Sequence, residues 1–280
     1  MDKINAISGM NIPGKLRTIP SPPKKLWHRG TLPEEWRSIV AIVGTRKPTA
    51  YGTAITEKIA YGLAERGVVI ASGLAYGVDA IAHRAALKAG GVTVAVLASG
   101  VDQISPAGNR QIAADMLATG GAIISEYEPG TPGLQYRFLQ RNRLVIGLSD
   151  AMVITEASLR SGTLNTASHA LAQGKDVYVV PGNITSPMSA GCNSLISQGA
   201  IPIVNVDEFC EHIAPRAEAR KTMAFSDDEQ AIITLIEQGI ADGDVLQQKS
   251  GLDSTTFLQT ITLLEITGVI RSHGGNRWSL

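Results

Sequence analysis

From Ser38 onward the chain returns repeatedly to short apolar runs rich in Val and Ile: SIVAIVG, GVVIASG, GVTVAVLASG, GAIIS, AMVITEA, DVYVVPG and IPIV. Most are separated by a helical pattern long enough for three or four turns. That alternation is the mark of β-α-β units. Because the runs are apolar throughout rather than alternating with polar residues, the strands are expected in a parallel sheet covered on both faces. Right-handed crossovers then give an α/β, doubly wound sheet, whose ligands bind beyond the carboxyl ends of the strands.

The intervening helices are legible too. TAITEKIAYGLAERG places Ile55, Ile59, Leu63 and Ala64 on one face and stops at Gly67, a natural left-handed cap. Asp79 to Lys88 repeats the design with Ala80, His83, Ala86 and Leu87. Residues 1–37 read as an extended N-terminal lead-in, proline-rich from residue 11, anchored by Leu26 and Trp27, with regular structure beginning near Ser38. The core is expected over 38–214 and a polar linker over 215–225. Residues 226–280 read as three short helices, the last two joined through Gly251 and Leu252, and a hairpin tipped by Gly274 and Gly275: a small C-terminal winged-helix domain.

Charge narrows the partners. The 25 Lys and Arg balance 25 Asp and Glu, so any polyanion site must be local. Cys192 and Cys210 are the only cysteines and five His are scattered, which argues against a disulfide framework and a zinc site. No apolar run reaches membrane-spanning length and the N-terminus lacks a secretory pattern, so the expected location is cytoplasmic.

Three strand-to-helix turns could hold a phosphate with backbone N–H groups and a helix dipole. The first is Gly44-Thr45-Arg46, where Arg46 adds a bidentate cation. The second is Ser72-Gly73 through Gly77, closed by Asp79, and the third is Ser161-Gly162-Thr163. Arg137, Arg141 and Arg143 form the densest basic patch; if helical, Arg137 and Arg141 share a face and Arg143 points elsewhere. Each residue also has a bland reading. Gly44 can merely turn the chain, Asp79 can cap a helix, His83 suits an interior histidine, and the arginines can pair with Asp79, Glu126 or Glu156. The turns lack the G-x-G-x-x-G and G-K-[ST] patterns of nucleotide binders, and no nucleophile-base motif stands out, so no cofactor, no metal and no catalysis are expected.

Taken in order, the stretches AIVGTRKPTAYG, ASGLAYGVDAIAHRAAL, TVAVLASGVDQISPAGN, GAIISEYEPGTP, FLQRNRLVIGLSD, VITEASLRSGTLNTASHALAQGKDVYVVPG and AGCNSLISQGA closely resemble the DNA-processing protein A family, also called Smf. The resemblance implies a Rossmann-like core that binds single-stranded DNA, displaces or accommodates single-strand-binding protein, helps load the RecA recombinase in transformation and recombination, and forms a homodimer. By position it puts the family's DNA contacts on Gly44, Thr45 and Arg46, on Ser72, Gly73 and Gly77, on Arg141, Asn142 and Arg143, and on Lys175. Thr45 stands where serine is common and keeps the hydroxyl. Leu139 replaces a usual proline and Ser105 a usual aromatic.

Single-strand binders pair a basic groove with aromatic platforms. Phe138 is the first choice for stacking, with Tyr51, Tyr76, Tyr127 and Tyr136 as further candidates. Four cations, Arg46, Arg141, Arg143 and Lys175, would give a slope of log K against log salt near about −3. Two rivals stand beside this reading. A phosphoribohydrolase-like enzyme requires a glutamate where Thr166 stands. A winged-helix transcription regulator requires basic residues on the recognition helix, yet Ser254 to Thr267 holds neither Lys nor Arg. The winged helix is therefore expected to mediate protein contacts, regulate access to the core or have lost DNA affinity.

Overall fold

The computed structural model describes residues 3–32, 38–215, 225–266, 269–272 and 275–279. They fall into two compact units, Met1–Arg216 and Ala217–Leu280. Most of the expected linker and Gly274 lie outside the described residues.

The first unit opens with β1 (Asn5–Ser8), α1 (Gly14–Arg17) and β2 (Lys25–Gly30). Then come β3 (Ile39–Val43), α2 (Ala50–Ala64), β4 (Val69–Ser72), α3 (Val78–Lys88), β5 (Thr93–Val96), α4 (Arg110–Ala118) and β6 (Ala122–Ser125). The unit closes with α5 (Gln135–Leu148), β7 (Ala151–Ile154), α6 (Gly162–Ala172), β8 (Asp176–Val179), α7 (Ala190–Ser197), β9 (Ile201–Pro202) and α8 (Val206–Ile213). The nine strands form one sheet in the order β1-β2-β6-β5-β4-β3-β7-β8-β9. All seven expected apolar runs supply its parallel strands, from β3 to β9.

Strand β3 shows why such runs look uniformly apolar. Ile39, Ala41 and Val43 face one core, while Val40 and Ile42 face the other. Helices α1, α5, α6 and α7 cover the first face; α2, α3 and α8 cover the second. Helix α2 begins where Thr49 Oγ1 accepts from Gly52 N at 3.1 Å, and the chain turns away through Gly67 at φ 82°. Burial therefore locks the sheet between two helical layers, and truncating Ile42 inside it would cost about 2–5 kcal/mol.

The expectation that regular structure begins near Ser38 needs correction. Strand β2 pairs antiparallel with β6, and β1 pairs antiparallel with β2 at the sheet's edge. The prolines of this segment flank these strands instead of interrupting them, which is where proline is tolerated. Both strands are too short to show a period. Leu26, 1% exposed, does anchor β2, and Leu16 and Ile19 pack where a side chain on Gly147 would collide at 2.8–2.9 Å.

The second unit contains α9 (Asp227–Glu237), α10 (Gly243–Ser250), α11 (Ser254–Ile266), β10 (Arg271–Ser272) and β11 (Trp278–Ser279). Its core joins Ile232, Ile236, Leu246, Phe257, Ile261 and Leu264. A full capping box between Ser226 and Glu229 starts α9, and Gly251 ends α10 in the left-handed conformation. Three helices followed by an antiparallel hairpin make a winged helix.

Candidate nucleic-acid interface

The sheet order reverses between β3 and β7, so the loops leaving these strands diverge and leave a crevice. A cleft of about 230 Å³ occupies that place. The turn after β3 contributes Gly44, Thr45 and Arg46; the start of α6 contributes Ser161, Gly162 and Thr163; α5 contributes Phe138, Leu139, Arg141 and Asn142. Ala75 and Asp79, from the turn after β4, line it too, so all three expected turns converge with the arginine helix.

The exposed Arg46 holds its guanidinium 5.5 Å from the centre of the Phe138 ring. Among the described residues it meets no carboxylate, which leaves its charge available to a ligand. Facing it, Ser161 caps α6 by accepting from Thr163 N at 3.1 Å, and its hydroxyl lies 2.8 Å from Thr163 Oγ1. Gly162, the first helical residue, has no intrahelical acceptor for its N–H, and a Cβ there would meet only Leu139, at 3.9 Å. A cation and the free Gly162 N–H of a helix N-terminus, lining one cleft, can hold one phosphate between them.

The turn carrying Arg46 is fixed by Glu156, which lies just beyond β7 and is 2% exposed. Its main-chain oxygen accepts from Thr45 N at 2.8 Å, and its carboxylate accepts from Thr49 N and Thr49 Oγ1, both at 2.8 Å. The N-terminus of α2 is therefore already filled by a carboxylate. This corrects the expectation that the turn after β3 offers free backbone donors: its contribution is the arginine. Gly77, at φ 77°, lets the start of α3 close on the same turn, since a Cβ there would lie 2.4 Å from Thr45 O.

Arg141 forms the cleft's floor and is only 4% exposed. It donates to Gly73 O at 2.9 Å and to Val96 O, and its Nε donates to Asn142 Oδ1 at 3.3 Å. Burial brings its pKa down to about 10, with the Asp79 carboxylate opposing the shift, so the guanidinium stays charged. Asp79 accepts from Gly73 N at 3.1 Å and Ala75 N at 3.3 Å; burial raises its pKa and the Arg141 charge pulls it back. Gly73 lacks a side chain because the Arg141 guanidinium occupies that space, 2.3 Å from where a Cβ would sit. Asn142 donates to Thr166 Oγ1 at 2.9 Å. At the place where the hydrolase rival requires a glutamate, the cleft thus presents a hydroxyl.

Several expected contacts lie elsewhere. Ser72 is fully buried and donates to Ile42 O at 2.7 Å, inside the sheet. Arg143 forms an ion pair with Glu126 and lines a second cleft beyond Leu139. Lys175 precedes β8, which runs parallel to β7, so it sits at the amino-terminal rim, across the sheet from the carboxyl-terminal turns. Two exposed cations missed in the sequence, Lys47 and Arg160, directly follow Arg46 and precede Ser161. Among the tyrosines, Tyr51 donates to Pro181 O at 3.0 Å, and Tyr127 and Tyr136 stand beside Arg137.

His83 is interior, as expected. Thr93 donates its hydroxyl proton to Ile70 O, so His83 Nδ1, 2.6 Å from Thr93 Oγ1, carries the hydrogen of that contact. Burial, with the Arg141 charge second, holds its pKa down to about 3. The unfolded chain then takes up a proton near pH 6.5 that the folded chain refuses. Stability is expected to fall by up to about 1.4 kcal/mol per pH unit below that point. Urea midpoints at pH 7, 6 and 5 test this; a His83→Gln variant with an unchanged pH slope would contradict it.

Comparison with known proteins places these features in context. The model of the DNA recombination-mediator protein A family matches residues 3–214, and a DprA winged helix domain matches residues 214–276. A DNA processing protein DprA of Mycobacterium tuberculosis is 41% identical over 269 residues, covering 92% of this chain and 69% of that protein. A solved DNA processing protein A from Helicobacter pylori, described for its single-stranded DNA binding mode, is 35% identical with a TM-score of 0.68, covering 76% of this chain and 97% of that one. The DprA structure from Streptococcus pneumoniae matches at 35% identity and a TM-score of 0.70, covering 75% of each chain.

Proposed function

The chain belongs to the DNA recombination-mediator protein A family, and on that premise we propose that it binds single-stranded DNA through the cleft between β3 and β7. The observation that carries the reading is the meeting of Arg46 with the free Gly162 N–H at the start of α6 in one crevice. The cleft binds and orients a backbone phosphate; it performs no chemistry on it. Family membership supports the finer reading, in which bound DNA is sheltered and passed to the RecA recombinase during transformation and recombination, with single-strand-binding protein displaced and two copies of the chain acting as a homodimer. None of the helices among the described residues is long and apolar enough to cross a membrane.

The phosphate count now rests on Arg46, Lys47 and Arg160, because Arg143 is paired and Lys175 is remote. Three neutralised phosphates on a single strand give a log K against log salt slope of about −2. Arg46→Ala is expected to weaken an oligothymidylate by about tenfold or more, the loss of one charge-assisted contact, and to reduce the slope by about 0.7. Its melting temperature should hold, since the side chain packs on no core. Fluorescence anisotropy across salt, with single-stranded and duplex oligonucleotides, measures affinity and slope, and a thermal melt measures the stability. A slope of zero, or equal affinity for duplex, would refute the reading.

A further inference from the structure

A second cleft, of about 570 Å³, lies on the other side of Leu139. Its composition differs in kind from the first. Arg143 is neutralised by Glu126, so the cleft gains no net charge from that pair. What remains are neutral polar groups: Ser21, Gln140 on α5, and Asn165 and His169 one turn apart on α6. Among the described residues the side chains of Asn165 and His169 make no hydrogen bond, although both line the cleft. Burial, and then the Arg143 charge, lowers the His169 pKa, which favours the neutral imidazole. Leu139 and the half-buried Tyr127 ring supply apolar wall.

We propose that this second cleft is a nucleobase subsite, filled by an unpaired base of the strand whose phosphate sits at Arg46 and the start of α6. It rests on the single-strand reading above and adds to it a contact with the base. The chemistry fits. Amide and neutral imidazole groups each offer donors and acceptors, the pattern on the Watson–Crick edge of any base, and that edge is free only in a single strand. A phosphate gains nothing from the apolar wall, while a base gains that wall as well as hydrogen bonds. The spacing also fits, because Asn165 stands about 4.5 Å along α6 from Gly162, and Leu139 lines both clefts and bridges them. The phosphate cleft supplies salt-dependent affinity, and the base cleft selects unpaired strands.

The test compares an oligothymidylate with an oligomer of the same length whose sugars carry no base. Wild-type protein is expected to bind the thymidine oligomer at least about tenfold tighter. In the double variant Asn165→Ala/His169→Ala that ratio should fall toward one, with affinity for the abasic oligomer and the salt slope unchanged. Both side chains lie outside the core, and a melting curve identical to wild type confirms that the variant is folded. Equal binding of the two oligomers by wild type, or a thymidine preference that survives in the double variant, would overturn the subsite. Failure to bind either oligomer would instead strike the single-strand reading itself.

Discussion

Arg141→Ala is expected to destabilise the folded chain by about 3–5 kcal/mol, the range for removing one member of a buried charged network. The guanidinium is 4% exposed and donates to two main-chain carbonyls, Gly73 O and Val96 O. Its removal orphans both and leaves Asp79 without the charge that offsets its burial. Lysine should rescue little, because a single ammonium cannot reproduce the planar fork that meets Gly73, Val96 and Asn142 together. Adding Asp79→Asn should recover part of the loss, since the uncompensated carboxylate is then gone. Urea unfolding measures each term. A loss under about 1 kcal/mol, within the range of surface changes, would mean that Arg141 serves the ligand and not the fold. Arg46→Ala supplies the contrast, with a large loss of DNA affinity and little loss of stability.

That contrast shows how far the sequence could be read. The parallel strands were legible because a strand buried on both faces must be apolar at every position, as β3 is. The turns at Gly44 and Ser161 were legible because a short strand, a glycine and a following helix mark a site whatever the family. What the sequence hid was direction and partnership. Arg46, Arg141 and Arg143 look alike as letters, yet one is exposed, one forms the floor of a cleft and one is paired with Glu126 across 17 residues of chain. Lys175 looked equivalent to the others until strand direction put it at the opposite rim. Strands β1 and β2 escaped notice because they are short, lie among prolines and are held by pairing to β6 rather than by a pattern of their own. Glu156 left a faint signal: it is the lone charge in AMVITEAS, at the end of an apolar strand.

Glu156→Ala should follow from that signal with the second large effect. The carboxylate is buried and accepts from both the N–H and the hydroxyl of Thr49, where it also faces the positive end of α2. Gly52 has no side chain because a Cβ would lie 2.3 Å from Glu156 Oε2. Truncation leaves a cavity, two donors without an acceptor and a helix start without its anion, which together should cost about 2–4 kcal/mol. The functional consequence is distinct. The turn bearing Arg46 is held at Thr45 by the main chain of residue 156 and at Thr49 by its carboxylate, so truncation frees one end only. Arg46 stays present but is no longer fixed opposite α6, and single-strand affinity should fall toward that of Arg46→Ala. Glu156→Gln keeps one acceptor oxygen and should lie between the two. Opening the start of α2 also creates an anion site, so inorganic phosphate should raise the melting temperature of Glu156→Ala more than that of wild type. If Glu156→Ala lost stability yet bound DNA as tightly as wild type, the carboxylate would be holding the fold and not the arginine.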